Sequence, residues 1–385
     1  MSFSACMRKM DFDGSVFNHI SRVLTCPRCG FLETKSPFSD LENEEHYAKH
    51  ILYHSMGGVG VGNETAEDLA RYKKYLGLLD DLKGLLVDIG CSKGGWLKFL
   101  RKNVANSLDL IGLDVDPTSL SDDPGTCDIL FAEANVFNTG LSDGSADFLT
   151  YFHVLEHIDN LDSLLSEAFR ILKSDGKVLI EVPNATRYAS KIDYVGPGFW
   201  LFMQEHLNHF SLSSLESLSR RNGFIISDYK EETMPMKNGF GYPSLIVKMR
   251  KSGKGDYDLA KQFGKHFVNL NEFVKNEIGT SQRMADEILS LCNPLVFWGI
   301  GLEFFNCFSK LQIPADIEWH LLDGNVFKHK CTDLGKVILA PEAIRPTGTL
   351  IISSYLAEGE ISEQAQILGW NSDNMVNLSD IASGR

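Results

Sequence analysis

The 385-residue sequence predicts an α/β protein: a central Rossmann-like, doubly wound parallel sheet, a small N-terminal unit and a second C-terminal α/β Rossmann-like domain. Three observations carry this. Short apolar runs alternate with helically periodic stretches from Leu85 onward; the glycine-bearing turn VDIGCSKGGWL, Val87 to Leu97, joins one such run to a helix; and FWGIGLEFF, Phe297 to Phe305, repeats the strand–turn–helix pattern late in the chain.

Taken in order, residues 1–62 form a unit with one CPRCG knuckle and three histidines, His46, His50 and His54, whose i, i+4 spacing puts them on one helix face. Residues 63–250 form the main domain. Its helix is expected over Glu64 to Leu79, and its strands near 85–90, 109–114, 128–132, 147–152 and 177–182. A helix over Leu212 to Arg221 precedes an antiparallel hairpin, Phe224 to Tyr229 with Tyr242 to Met249, that closes the sheet. The charged, glycine-containing KSGKGDY, Lys251 to Tyr257, is a linker into residues 251–385. There a helical region, Leu259 to Cys292, is followed by strands Leu295 to Gly299, Glu318 to Leu322 and Thr349 to Ser353.

The first turn carries the chemistry. Gly90 and Gly94 lack Cβ, so backbone can approach a ligand, and the N–H groups at the helix start favour electron-rich atoms. Asp114 closes the next apolar run, where a carboxylate accepts both hydroxyls of a ribose. The same layout would hold NAD, since Gly90, Ser92 and Gly95 nearly spell the dinucleotide fingerprint.

The stretch that follows decides between them. Over about residues 85–250 the chain resembles class I S-adenosylmethionine (SAM) methyltransferases. Asp88, Gly90 and Gly94 match the motif that holds the methionine part of SAM, with Cys91 and Ser92 in the same loop; Asp114, followed by Val115, matches the ribose-binding acid. Asn135, followed by Val136, stands where that family has an aspartate beside the adenine amine. DGSADFLTYFHVLEHIDN, Asp143 to Asn160, resembles the fourth strand and its turn, which implies that His153 and Glu156 lie near the cofactor. Ser92 departs from the usual middle glycine.

The three-part layout further resembles the sugar C-methyltransferases, which act on nucleotide-linked keto-deoxysugars. Their catalytic histidine follows a glutamate, and FMQEHLNHFSLSSL supplies Glu205 and His206, with Met203 where that family has tyrosine. A carbon acceptor must lose a proton beside a carbonyl, and a hydroxyl gains nucleophilicity when a base takes its proton, so His206 is the candidate general base. The bland alternative is that Glu205, His206 and His209 cap the following helix or bond the sheet edge. The resemblance also implies N-terminal zinc. Here Cys6, Cys26 and Cys29, with His19, are the ligands on offer, against a plain turn with free thiols.

Acidic residues outnumber basic ones, 51 to 37, and the net charge of -14 disfavours nucleic acid and anionic membrane as partners. No apolar run reaches spanning length, the start lacks a signal-peptide core, and eight scattered cysteines suit reduced thiols, so a cytoplasmic enzyme is expected. The reading is SAM-dependent methyl transfer to a small-molecule acceptor, a sugar or nucleotide sugar. The alternatives are an O- or N-methyltransferase of a non-sugar small molecule, or a non-catalytic scaffold of the same fold.

Overall fold

The computed structural model describes residues 2–10, 16–26, 29, 31–35, 65–104, 108–115, 128–188, 206–235, 241–252, 270–308, 310–331, 334–355 and 357–384. His46, His50, His54, Met203, Glu205 and most of the expected linker lie outside these residues.

Near the N-terminus β1 (Ser2–Met10) and β2 (Val16–Thr25) form an antiparallel hairpin, and β3 (Leu32–Lys35) pairs with β2. Helix α1 (Ala66–Leu76) begins where Thr65 accepts the Asp68 backbone N–H and ends on Lys73 and Lys74, charges that suit its dipole. Then come β4 (Gly84–Ile89), α2 (Gly95–Asn103), β5 (Leu108–Asp114), β6 (Ile129–Glu133), β7 (Ala146–Phe152), α3 (Leu161–Ile171) and β8 (Leu172–Pro183). After β9 (Asn208–His209) and α4 (Leu212–Arg221), β10 (Phe224–Pro235) and β11 (Gly241–Lys251) complete the main sheet.

That sheet has seven strands in the order β10-β11-β8-β7-β4-β5-β6. β4 is parallel to both β5 and β7, and β11 runs antiparallel to both β8 and β10. The expected hairpin therefore exists, with β11 inside the sheet and β10 at its edge. The chain leaves β4 first toward β6 and later toward β8, so the switch point lies between β4 and β7, where ligands bind in such sheets outside the carboxyl ends. On one face Val87, Leu149, Ile180 and Val247 pack beneath α3 and α4; on the other Tyr72, Tyr75, Trp96 and Phe99 of α1 and α2 form an aromatic layer. Runs such as VLI and LIV alternate between these faces, which is why they are apolar throughout.

The N-terminal strands do not stand alone. β3 pairs with β9, Leu32 opposite His209, so the four-stranded sheet β1-β2-β3-β9 takes its edge from the main domain. The second α/β domain follows α5 (Leu270–Leu289): β12 (Leu295–Trp298), α6 (Leu302–Phe308), β13 (Trp319–Leu322), β14 (Ile338–Leu339), β15 (Thr349–Ile352), α7 (Glu358–Ile367), β16 (Met375–Asn377) and α8 (Leu378–Ser383). Its five strands, β14-β13-β12-β15-β16, are all parallel, the Rossmann-like arrangement expected. Among the described residues no helix is long and apolar enough to cross a membrane.

Candidate active site

The loop between β4 and α2 turns through left-handed backbone at Gly90 (φ 77°), Ser92 (φ 46°) and Gly94 (φ 70°). A Cβ at Gly90 would stand 2.5 Å from Val154 Cγ2, and one at Gly94 2.4 Å from the Phe131 ring, so both glycines admit neighbouring side chains. Ser92 holds the left-handed turn despite its Cβ because its N–H donates to Asp114 Oδ2 at 2.8 Å. The carboxylate expected at the end of β5 thus anchors the loop.

Asp88 is buried at the end of β4 and accepts from Thr150 Oγ1 at 2.6 Å. Burial raises its acidity constant to about 7, opposed by the Thr150 hydrogen bond and reinforced by Asp114. Cys91 differs from its expected role. Its thiol is buried and would lie 2.8 Å from a Cβ at Gly112, so the side chain is core; only its backbone, whose N–H donates to Leu113 O at 3.1 Å, belongs to the loop. Beyond Asp114, Val115 is 56% exposed, and the backbone of Ala134 bonds Asp114 O, bringing Asn135 and Val136 alongside. Asn135 Oδ1 accepts Phe137 N–H at 2.8 Å, so it is committed to a local turn.

This donor set fits SAM. Two mutually repelling carboxylates suit a sulfonium and an ammonium, Asp114 suits vicinal hydroxyls, and the bare Val115 side chain is a seat for a flat base.

His153 follows β7 with φ 59°, rare for a residue bearing a Cβ. Its Nδ1 lies 3.2 Å from Glu156 Oε1 and its Nε2 3.2 Å from Glu181 Oε2. Burial favours the neutral ring, but Glu181 and Glu156 outweigh it and raise the imidazole to about 9. Glu181, wholly buried, also accepts hydrogen bonds from Tyr75 and Ser244. His153 is therefore an imidazolium clamped by two buried carboxylates. Tyr75, Ser244 and Glu181 were missed in the sequence; the one available signal was a carboxylate inside the apolar run VLIEVP.

The next turn, Leu155–His157, meets the segment before α4. Leu207 N–H donates to Glu156 O at 2.8 Å, and Asn208 Nδ2 donates to Leu155 O and Ile158 O at 3.0 and 2.6 Å. These bonds bring buried His206 against His157, ring centroids 4.9 Å apart. His209 is different: it is sealed between Thr34 Oγ1 (2.7 Å) and Tyr188 OH (3.3 Å), and burial lowers it to about 3. It fastens the N-terminal strands, the sheet-edge role weighed above.

The zinc set is not brought together. Cys6 pairs with Ile20 and His19 with Met7, while β2 runs on to Thr25 before Cys26, a stretch of roughly 20 Å at about 3.3 Å per residue. Cys26 and Cys29 are neighbours, both as free thiols. In the C-terminal domain, Asp323 accepts Ile300 N–H and Asn325 N–H at 2.8 Å each and pairs with Lys328 at 2.9 Å, so the second glycine turn closes on its own side chains.

With this geometry in place, comparison with known proteins is direct. Residues 62–227 match the family model described as a methyltransferase domain. The central domain is a SAM-dependent methyltransferase domain. The enzyme is 26% identical over 183 residues to a demethylmenaquinone methyltransferase of Lactococcus lactis subsp. lactis, covering 41% of this chain and 73% of that protein. It is 21% identical over 267 residues to an uncharacterized methyltransferase of Bacillus subtilis, covering 68% of this chain and 96% of the relative. Among solved structures, a Burkholderia thailandensis 1,6-didemethyltoxoflavin-N1-methyltransferase with bound 1,6-didemethyltoxoflavin and S-adenosylhomocysteine aligns at a TM-score of 0.41 and 15% identity, covering 60% of this chain and 96% of that one.

Proposed function

We propose that this enzyme transfers the methyl group of SAM to a small-molecule acceptor, a sugar or nucleotide sugar, with His206 as the general base that takes the acceptor proton. SAM supplies an electrophilic methyl on a sulfonium, and the barrier falls chiefly through alignment of acceptor, methyl and sulfur. Asp88, Asp114 and the backbone of the Gly90–Gly94 loop would hold it, with Val115, Asn135 and Val136 around the base and His153 fixing the turn beside them.

One observation carries the reading. His206, far in sequence from the cofactor loop, is buried at the carboxyl side of β7, next to the strand whose end bears Asp88, and is fixed there by the Leu207 and Asn208 hydrogen bonds. Glu205, its neighbour in sequence, is the expected orienting partner. The sugar preference rests on the three-part layout and the Glu205–His206 pair. A second reading, a non-sugar acceptor, draws on Met203 in place of tyrosine and on the demethylmenaquinone-specific relative. The cytosol is the compartment that suits free Cys26, Cys29, Cys91, Cys292, Cys307 and Cys331.

A panel of nucleotide sugars and quinol or phenol acceptors, assayed with labelled SAM, tests this. With the acceptor found, His206→Ala should lower kcat by about 10²–10⁴-fold while leaving SAM affinity unchanged. Unchanged turnover would remove His206 from the role of base.

A further inference from the structure

We propose that Glu156, His157 and His206 bind a divalent transition-metal cation, zinc by ligand type, at the acceptor end of the methyltransferase domain. Each residue offers one ligand atom, and the three atoms lie within 4.8 Å of one another. Ligands sharing one zinc stand at most about 4 Å apart, since each is about 2.0–2.2 Å from the ion. Side-chain rotations of under about 1 Å close the set.

Burial makes this more than proximity. Glu156 is fully buried, and its two oxygens have different fates: Oε1 lies against His153 Nδ1, whereas Oε2 has no hydrogen-bond partner among the described residues. A buried carboxylate oxygen without a donor is costly, and a cation beside it removes that cost. Glu181, by contrast, is answered by His153, Tyr75 and Ser244, with Arg71 also lowering its pKa. Only Glu156 is left facing the histidine pair with an unanswered oxygen.

The backbone is set before any ion arrives. The Leu207–Glu156 bond and the two Asn208 bonds hold the ligand-bearing segments in register, so binding needs little ordering. Two imidazoles and one carboxylate leave a tetrahedral ion one open position, as in catalytic rather than structural zinc sites. Half-buried His157 leaves that side accessible. An acceptor oxygen taken in the open position would be acidified by the metal. That role rests on the proposed acceptor site; metal binding does not.

The test uses the full chain carrying Cys26→Ser and Cys29→Ser, so that thiols cannot supply the site. After chelator treatment it is titrated with cobalt(II), followed by visible absorption and metal analysis. One equivalent should bind with d–d bands and no thiolate charge transfer. His206→Ala and Glu156→Gln should each weaken binding by about 10–100-fold or more, with the circular dichroism melt unchanged. X-ray absorption of the zinc form, which needs no ligand variant, should give a nitrogen and oxygen shell with scattering from two imidazoles. No stoichiometric binding, binding insensitive to both variants, or a shell with other than two imidazoles would overturn the site. If metal fails to bind but His206→Ala abolishes turnover, the base stands without the cation. If metal binds but His206→Ala turns over normally, the base fails and the site stands.

Discussion

His153 keeps a proton where burial alone would remove it, because Glu181 and Glu156 lie on its two sides. Its folded value, about 9, exceeds the ordinary 6.5, so the stabilisation is complete below pH 6.5 and lost as pH rises through 9. Chemical denaturation across that window should show stability falling by up to about 3 kcal/mol, and His153→Gln should flatten the slope. Asp88 tilts the same way at lower pH: with its value raised to about 7, the fold prefers its protonated form, and stability declines as pH rises from about 4 through 7. Cationic SAM reverses the preference. Its binding should release protons near pH 6.5 and tighten as pH rises through 7, measured by calorimetry in buffers of different ionisation enthalpy; Asp88→Asn should abolish the release. Asp88 and Asp114 were legible because a carboxylate ending an apolar strand stands out. Tyr75 and Ser244 were not, since their partner Glu181 is brought to them only by sheet order.

At the scale of elements, the strands from β4 to β8 were readable because fully buried parallel strands give unbroken apolar runs between glycine turns. Helix α4 was readable from Ser211, whose side chain accepts the Ser214 N–H. β14 and β16 are too short for periodicity, and the β3–β9 pairing joins segments far apart in sequence. That pairing leads into the loop that holds His206. Asn208 ties it to both ends of the Leu155–His157 turn, so Asn208→Ala leaves two buried carbonyls without this donor and should cost about 1–3 kcal/mol. It should also lower kcat more than it weakens SAM binding, because it loosens the His206 side of the crevice. Equal effects on both would contradict the division of labour between the Gly90 loop and the His206 segment.

Over the whole molecule, the order of units was legible as two strand–turn–helix patterns, but their difference was not. The first turn presents Asp114 beside exposed Val115; the second folds Asp323 onto Ile300, Asn325 and Lys328. The account therefore assigns cofactor binding to the first alone. Calorimetry of SAM, S-adenosylhomocysteine and NAD on the wild type and Asp114→Ala tests this most directly. It predicts one SAM site per chain, lost or weakened by at least about 100-fold in Asp114→Ala, and no NAD binding. SAM affinity unchanged in Asp114→Ala, or NAD bound in preference to SAM, would contradict it.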